Sequence, residues 1–243
     1  MTKKNVVGKN AKTDLTNAPS SKSEVNAFLQ KVASLPPVRS GSGSGKLVFA
    51  LDATASRERT WDQASQLQVE MFSSTQALGG LQVQLSYFRG FGEFYASQWY
   101  QDSSSILKKM SGIHCHAGAT QIKRLLKHVL QENKSGKIHS VVFIGDAMEE
   151  NVDILCQLAG EMGMLNIPLF VFQERNDPIA QRAFMEMARL SKGAFSHFDS
   201  ASVAELKDLL RAVAIYAVGG YKALAHFSKT AHPKVKLLSQ QLR

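Results

Sequence analysis

Lys46-Leu47-Val48-Phe49-Ala50-Leu51-Asp52-Ala53-Thr54-Ala55-Ser56 is the stretch on which the reading of this chain turns. An apolar run of strand character ends in an aspartate. Hydroxyl residues follow at alternate positions, and an amphipathic helical pattern begins near Glu58. A uniformly apolar run suits a strand covered on both faces, as in a parallel sheet flanked by helices. Such sheets place ligand sites at the carboxyl ends of their strands. The spacing therefore predicts Asp52, Thr54 and Ser56 on one exposed loop at the mouth of a sheet. A carboxylate and two hydroxyls form a hard, all-oxygen set of the kind that Mg²⁺ prefers.

The pattern repeats outward from this stretch. After a helix to about Ala77, Leu81 to Phe88 and Phe94 to Tyr100 read as a hairpin around the Gly90–Gly92 turn. A short helix, Asp102 to Met110, leads into the loop Gly112-Ile113-His114-Cys115-His116-Ala117-Gly118-Ala119-Thr120, and a helix follows to about Gln131. Ile138 to Ile144 is a second apolar strand, closed by Gly145-Asp146 and followed by a helix from about Val152 to Gly163. Ile167 to Phe172 is a third. Pro178 opens another helix, its ring already set for a first turn. Ala194 to His197 reads as an edge strand, and Val203 to Tyr216 as a closing helix. Strands alternating with helices predict a three-layer α/β fold. Its central sheet is mostly parallel, with one antiparallel edge hairpin strand and helices on both faces.

Outside this core the composition changes. Residues 1–21 are polar, basic and aperiodic, and read as a disordered tail. Residues 22–45 hold a short helix stopped by Pro36-Pro37 and then a Gly/Ser linker. The domain itself is read over 46–218, and 219–243 as a basic C-terminal tail. Residues 1–45 and 222–243 each carry a net charge of +5, and the stretch between them −1. The excess charge thus sits in the tails. They lack interleaved aromatics and any nucleic-acid module, which argues against a nucleic-acid partner. No run of apolar residues is long enough for a membrane span. The polar amino-terminal stretch has no secretory signal. Cys115 and Cys156 stand apart, with no C-x-x-C pair, so a reducing, cytoplasmic setting is expected.

The glycine run before Lys46 does not make a phosphate loop. Ser40 stands at the first glycine position, Leu47 follows the lysine, and a strand rather than a helix comes next.

D-x-T-x-S at Asp52, Thr54 and Ser56, then G-x-T at Gly118 and Thr120, then an apolar strand closed by Gly145-Asp146, resembles the metal-ion-dependent adhesion site of von Willebrand factor A (VWA) domains. The resemblance covers about residues 46 to 218 and extends to element order. It is closest to stand-alone bacterial cytoplasmic members. It implies a non-enzymatic interaction module. Thr54 and Ser56 would ligate Mg²⁺ (or Mn²⁺) through their hydroxyls, Thr120 directly in one conformation, and Asp52 and Asp146 mainly through bound waters. The open coordination position would accept an Asp or Glu of a protein partner. The family usually has serine where Thr54 stands, which keeps the hydroxyl.

Plainer readings exist for each residue. Asp52, Ser56 and Thr120 are types that cap helices, and Asp146 after a glycine suits a turn. His114 and His116 would point the same way from an extended loop and suit Zn²⁺, but no further ligands stand at recognisable spacing. They are assigned instead, with Glu149, to the rim that a partner meets. Glu149 and Glu150 also fit as helix-start acids favoured by the macrodipole. The alternative function is a metal-dependent phosphohydrolase or phosphotransferase using the same acids. Thr54 occupies the position where such an enzyme would place a second acid. No G-x-S-x-G or H-E-x-x-H motif is present.

Overall fold

The apolar run forms the strand predicted for it, β1 (Gly45–Asp52), buried along nearly all its length. The computed structural model describes residues 45–58, 81–198, 208 and 210–219. The predicted amino-terminal helix, the helix to Ala77 and both tails lie outside the described residues.

After β1 a single 3₁₀ turn, Ala55–Arg57, is described. Then come β2 (Leu81–Arg89), β3 (Glu93–Tyr100), α1 (Ser103–Met110), α2 (Ile122–Ser135) and β4 (Ser140–Gly145). These are followed by α3 (Val152–Met164), β5 (Leu169–Glu174), α4 (Pro178–Leu190) and β6 (Ala194–Phe198). A last helix, α5, is described over 210–219 and runs past its predicted end at Tyr216.

The strands form one sheet in the order β3-β2-β1-β4-β5-β6. Every neighbouring pair is parallel except β2 and β3, the antiparallel hairpin. Burial on both faces explains the unbroken apolar runs. From β1, Leu47, Phe49 and Leu51 pack with Ile106 and Met110 of α1 and with Leu210, Val213 and Ala217 of α5. Val48 and Ala50 face the other way, toward Leu125 and Val129 of α2, Leu155 and Met162 of α3, and Phe184 and Met187 of α4. This is the three-layer arrangement that the alternating pattern predicts.

Several boundaries differ from the sequence reading, and three of the differences have a visible cause. Helix α2 continues to Ser135, where the Gly136 N–H bonds Glu132 O. β4 starts at Ser140 rather than Ile138, because the Ile138 N–H is taken by the Asn133 side chain. β5 runs on from Phe172 to Glu174: Gln173 and Glu174 are polar but pair with His197 and Phe198 of β6. Both side chains are buried: Gln173 Nε2 donates to Asp177 O and Glu174 pairs with Arg57, while Gln173 Oε1 has no hydrogen bond among the described residues.

One consequence of the strand order positions the site. β1 is flanked by β2 on one side and by β4 on the other, so the chain's direction of travel across the sheet reverses there. The crevice outside the carboxyl ends of β1 and β4 is the topological switch point, where open α/β sheets bind ligands. Leu51 pairs with Ile144. Asp52 and Asp146 therefore leave the sheet beside one another.

Candidate functional site

Asp52 ends β1 with its side chain folded back on the chain. Its Oδ1 accepts the Thr54 N–H at 2.8 Å, while Oδ2 is buried with no hydrogen-bond partner among the described residues. Thr54 is extended (φ −73°, ψ 158°) ahead of the 3₁₀ turn and makes no side-chain cap. Its hydroxyl instead lies 3.1 Å from that of Ser56. The three side chains are thus gathered by the geometry of one short turn. The loop is less open than the sequence predicts. Asp52 is 0% and Thr54 7% exposed. The strip around His116 covers them, its N–H bonding Ala53 O at 3.1 Å in a parallel bridge opposite Thr54.

Asp146 follows β4 and is also buried. Its Oδ1 has no hydrogen-bond partner among the described residues, and its Oδ2 lies 3.7 Å from Arg175. The turn holding it is linked to the third segment. Thr120 N donates to Glu149 Oε2 at 3.0 Å, and Glu149 N donates to Thr120 Oγ1 at 3.3 Å. Thr120 is no helix cap: the cap position of α2 is Gln121, whose side chain does not cap. That work falls to Glu150, which accepts the Ile122 and Lys123 N–H groups. The acid predicted to favour the start of α3 in fact serves the start of α2. Asn151 caps α3 through the Ile154 N–H.

Gly118 lets the Thr120 loop lie against the β2–β3 hairpin. A Cβ there would stand 2.0 Å from Gly90 O, a backbone atom that cannot swing away. Gly118→Ala is expected to cost about 1–3 kcal/mol of stability by urea denaturation. Gly160→Ala on α3, where an added Cβ meets nothing within 4 Å, is expected to be neutral or stabilising.

His114 and His116 are both exposed, and the His114 carbonyl is held by Arg89 at 2.8 Å. Glu149 is exposed while clamping Thr120. Burial pushes the half-buried Cys115 thiol up to about 11, which keeps it protonated and unreactive at neutral pH. Among the described residues, no three His, Cys, Asp or Glu side chains group as metal ligands. A cation at this mouth would need the hydroxyls as well as the two carboxylates.

Two residues absent from the sequence reading complete the surroundings. Arg57 is fully buried. Its Nε donates to Glu174 Oε2 at 3.0 Å, and its Nη1 donates to Asp52 O at 2.7 Å and Ile144 O at 3.3 Å. It ties the ends of β1, β4 and β5 together beneath the carboxylates. Arg175 lies above them, its Nη2 donating to Ser56 O at 2.7 Å. The Asp52 carboxyl is pushed up to about 6, mainly by burial. The Thr54 hydrogen bonds and Arg57 oppose that rise, and the Asp146 charge adds to it. Burial is the largest of these influences and the Asp146 charge the smallest, so the rise is mainly a desolvation effect.

Solved structures share this fold. A von Willebrand factor type A protein from Catenulispora acidiphila is 12% identical, with a TM-score of 0.56 over 70% of this chain and 42% of its own. The VWA domain of SpRpn10 is 13% identical, with a TM-score of 0.55 over 69% of this chain and 94% of that one. This chain has the fold of a VWA domain. Proximal thread matrix protein 1 from the mussel byssus, solved with zinc in its MIDAS motif, has the same VWA likeness: 12% identity and a TM-score of 0.54, over 71% of this chain and 46% of its own. No protein-family model and no curated protein sequence matches the chain. Among the described residues of this VWA fold, no helix is long and apolar enough to cross a membrane.

Proposed function

We propose that this VWA-type domain is a non-enzymatic, metal-dependent interaction module. Asp52, Thr54, Ser56, Thr120 and Asp146 would hold Mg²⁺ or Mn²⁺, and the cation's open position would take an Asp or Glu carboxylate from a protein partner. The observation that carries this reading is the pair of buried carboxylate oxygens, Asp52 Oδ2 and Asp146 Oδ1, left without hydrogen bonds at the switch point of the sheet. Most buried polar groups in folded proteins are paired, and among the described residues these two are the buried carboxylate oxygens left without a hydrogen bond. The Thr54 and Ser56 hydroxyls beside them bond one another and not a helix end. This donor set is all oxygen, which fits a hard cation. Mg²⁺ keeps waters and accepts a further oxygen readily, and so would supply electrophilic attraction for a carboxylate. His114, His116 and Glu149, all exposed, would form the rim that a partner meets.

Calorimetric titration with Mg²⁺ and Mn²⁺ tests the reading. Wild type is expected to bind with saturable heat, and Asp52→Asn to bind at least about tenfold more weakly, a loss of about 1.4 kcal/mol or more. Absence of metal-dependent heat at millimolar concentrations would refute the site. Phosphoester turnover that vanishes in Asp52→Asn would replace the interaction reading with the hydrolytic one.

A further inference from the structure

Arg175 is a non-glycine residue in the left-handed region, at φ 60°. Side chains with a Cβ rarely adopt that conformation, and it persists only where the surroundings impose it. Here they do. Gln173 ties the strand end to Asp177 O, and Asp177 caps α4 through the Ile179 and Ala180 N–H groups. The His197 ring of β6 bonds the Arg175 carbonyl. The turn between β5 and α4 is thereby pinned on both sides, and its guanidinium is delivered over the mouth of the switch point. Nη2 grips Ser56 O at 2.7 Å, whereas Nη1 stands 3.7 Å from Asp146 Oδ2, close enough to attract the charge but too far for a hydrogen bond. Asp146 is 3% exposed and Arg175 56%. One partner is fixed and the other has room to leave.

We propose that Arg175 is the built-in counter-ion of the metal-free mouth, competing with a divalent cation for Asp146 and swinging aside when the cation binds. This rests on the metal reading of the same site. A cation held by Asp146 and the Ser56 hydroxyl would share Asp146 with the guanidinium that also bonds Ser56 O. Like charges drawn to one carboxylate repel, so loading would displace Arg175 from Asp146. Its exposure gives it a path into solvent. Once displaced, it remains at the rim as a cationic, planar donor suited to a carboxylate. Metal loading would thus change the mouth from a self-neutralised state to one that wants an acidic ligand.

Mg²⁺ affinity, measured by calorimetry on the full chain, separates the possibilities. Arg175→Asn removes the charge with a residue that tolerates the left-handed conformation, and is expected to bind Mg²⁺ on the order of tenfold more tightly than wild type. Arg175→Lys keeps the charge and should bind Mg²⁺ less tightly than Arg175→Asn does. Lys134→Gln, at the far end of α2, removes a remote charge and should change nothing. Arg175→Gly serves as a second test, with the unfolding transition of each variant measured alongside. Unchanged or weaker Mg²⁺ binding in folded Arg175→Asn or Arg175→Gly, with wild type binding and Asp52→Asn binding more weakly than wild type, would overturn the counter-ion role alone. No binding by any of them would remove the metal site and the role together.

Discussion

Arg57→Ala is expected to lower the unfolding free energy by about 3–5 kcal/mol, the usual result of removing one member of a buried ion pair. The Arg57 and Glu174 side chains are 0% and 5% exposed. Deleting the guanidinium leaves the Glu174 carboxylate in a low-dielectric setting without that partner. It also strips a donor from Asp52 O and Ile144 O, and buried acceptors left unmet carry their own penalty. Urea denaturation measures the loss directly. A loss below about 1 kcal/mol would show that the pair is not a structural tie. The double variant Arg57→Met with Glu174→Leu should recover much of the stability, because a buried pair replaced by apolar side chains of similar volume is often no worse than the pair itself. Metal affinity need not recover with it. Arg57 fixes the backbone at the ends of both strands that carry the carboxylates, so the double variant should fold well yet bind Mg²⁺ more weakly than wild type.

Arg57 also marks where the sequence stopped being legible. The strand run Leu47 to Leu51 announces burial on both faces by its composition alone. Asp52, Thr54 and Ser56 sit within one turn, so their convergence needed only local geometry. The hairpin could be read from the Gly90–Gly92 turn, and the Asp146 position from an apolar strand with a glycine and an aspartate at its end. An arginine one residue after Ser56 carries no such mark. Its burial comes from Glu174, 117 positions away, and from carbonyls of two strands that become neighbours only in the folded sheet. Glu150 shows a related limit. The rule that acids favour helix starts was sound, but proximity in sequence selected α3, whereas proximity in space selects α2. Arg175 is hidden for another reason. Between a strand and Pro178 it looks like an ordinary exposed turn residue, and only its backbone angle and the groups that pin it show otherwise.

In chelator, Asp52→Asn is expected to be more stable than wild type at pH 7, by up to about 3 kcal/mol, with the gap closing by about pH 4. The sign follows from the direction of the shift. Burial, partly offset by the Thr54 hydrogen bonds and Arg57 and reinforced by Asp146, raises the Asp52 carboxyl from 3.8 to about 6. A carboxyl raised on folding favours the folded state below its unfolded value, where it is neutral in both states. That advantage is lost as pH climbs through the folded value, because ionisation is then opposed by the fold. A rise of this size corresponds to about 3 kcal/mol. Asparagine never ionises. It keeps the oxygen that accepts the Thr54 N–H and carries no charge where Oδ2 had no partner. Comparing the two proteins at each pH also cancels the opposing contributions of His128 and His139, which burial holds below the usual histidine range. Saturating Mg²⁺ should narrow the gap. The cation favours the ionised carboxylate and stabilises the form that binds it more tightly, so wild type should gain more stability with metal at pH 7 than Asp52→Asn does. Thermal or urea unfolding at pH 4 to 7, with and without Mg²⁺, reads all four curves. Wild type more stable than Asp52→Asn in chelator at pH 7 would mean that the Asp52 charge is already compensated within the protein, and the demand for an outside cation would disappear with it.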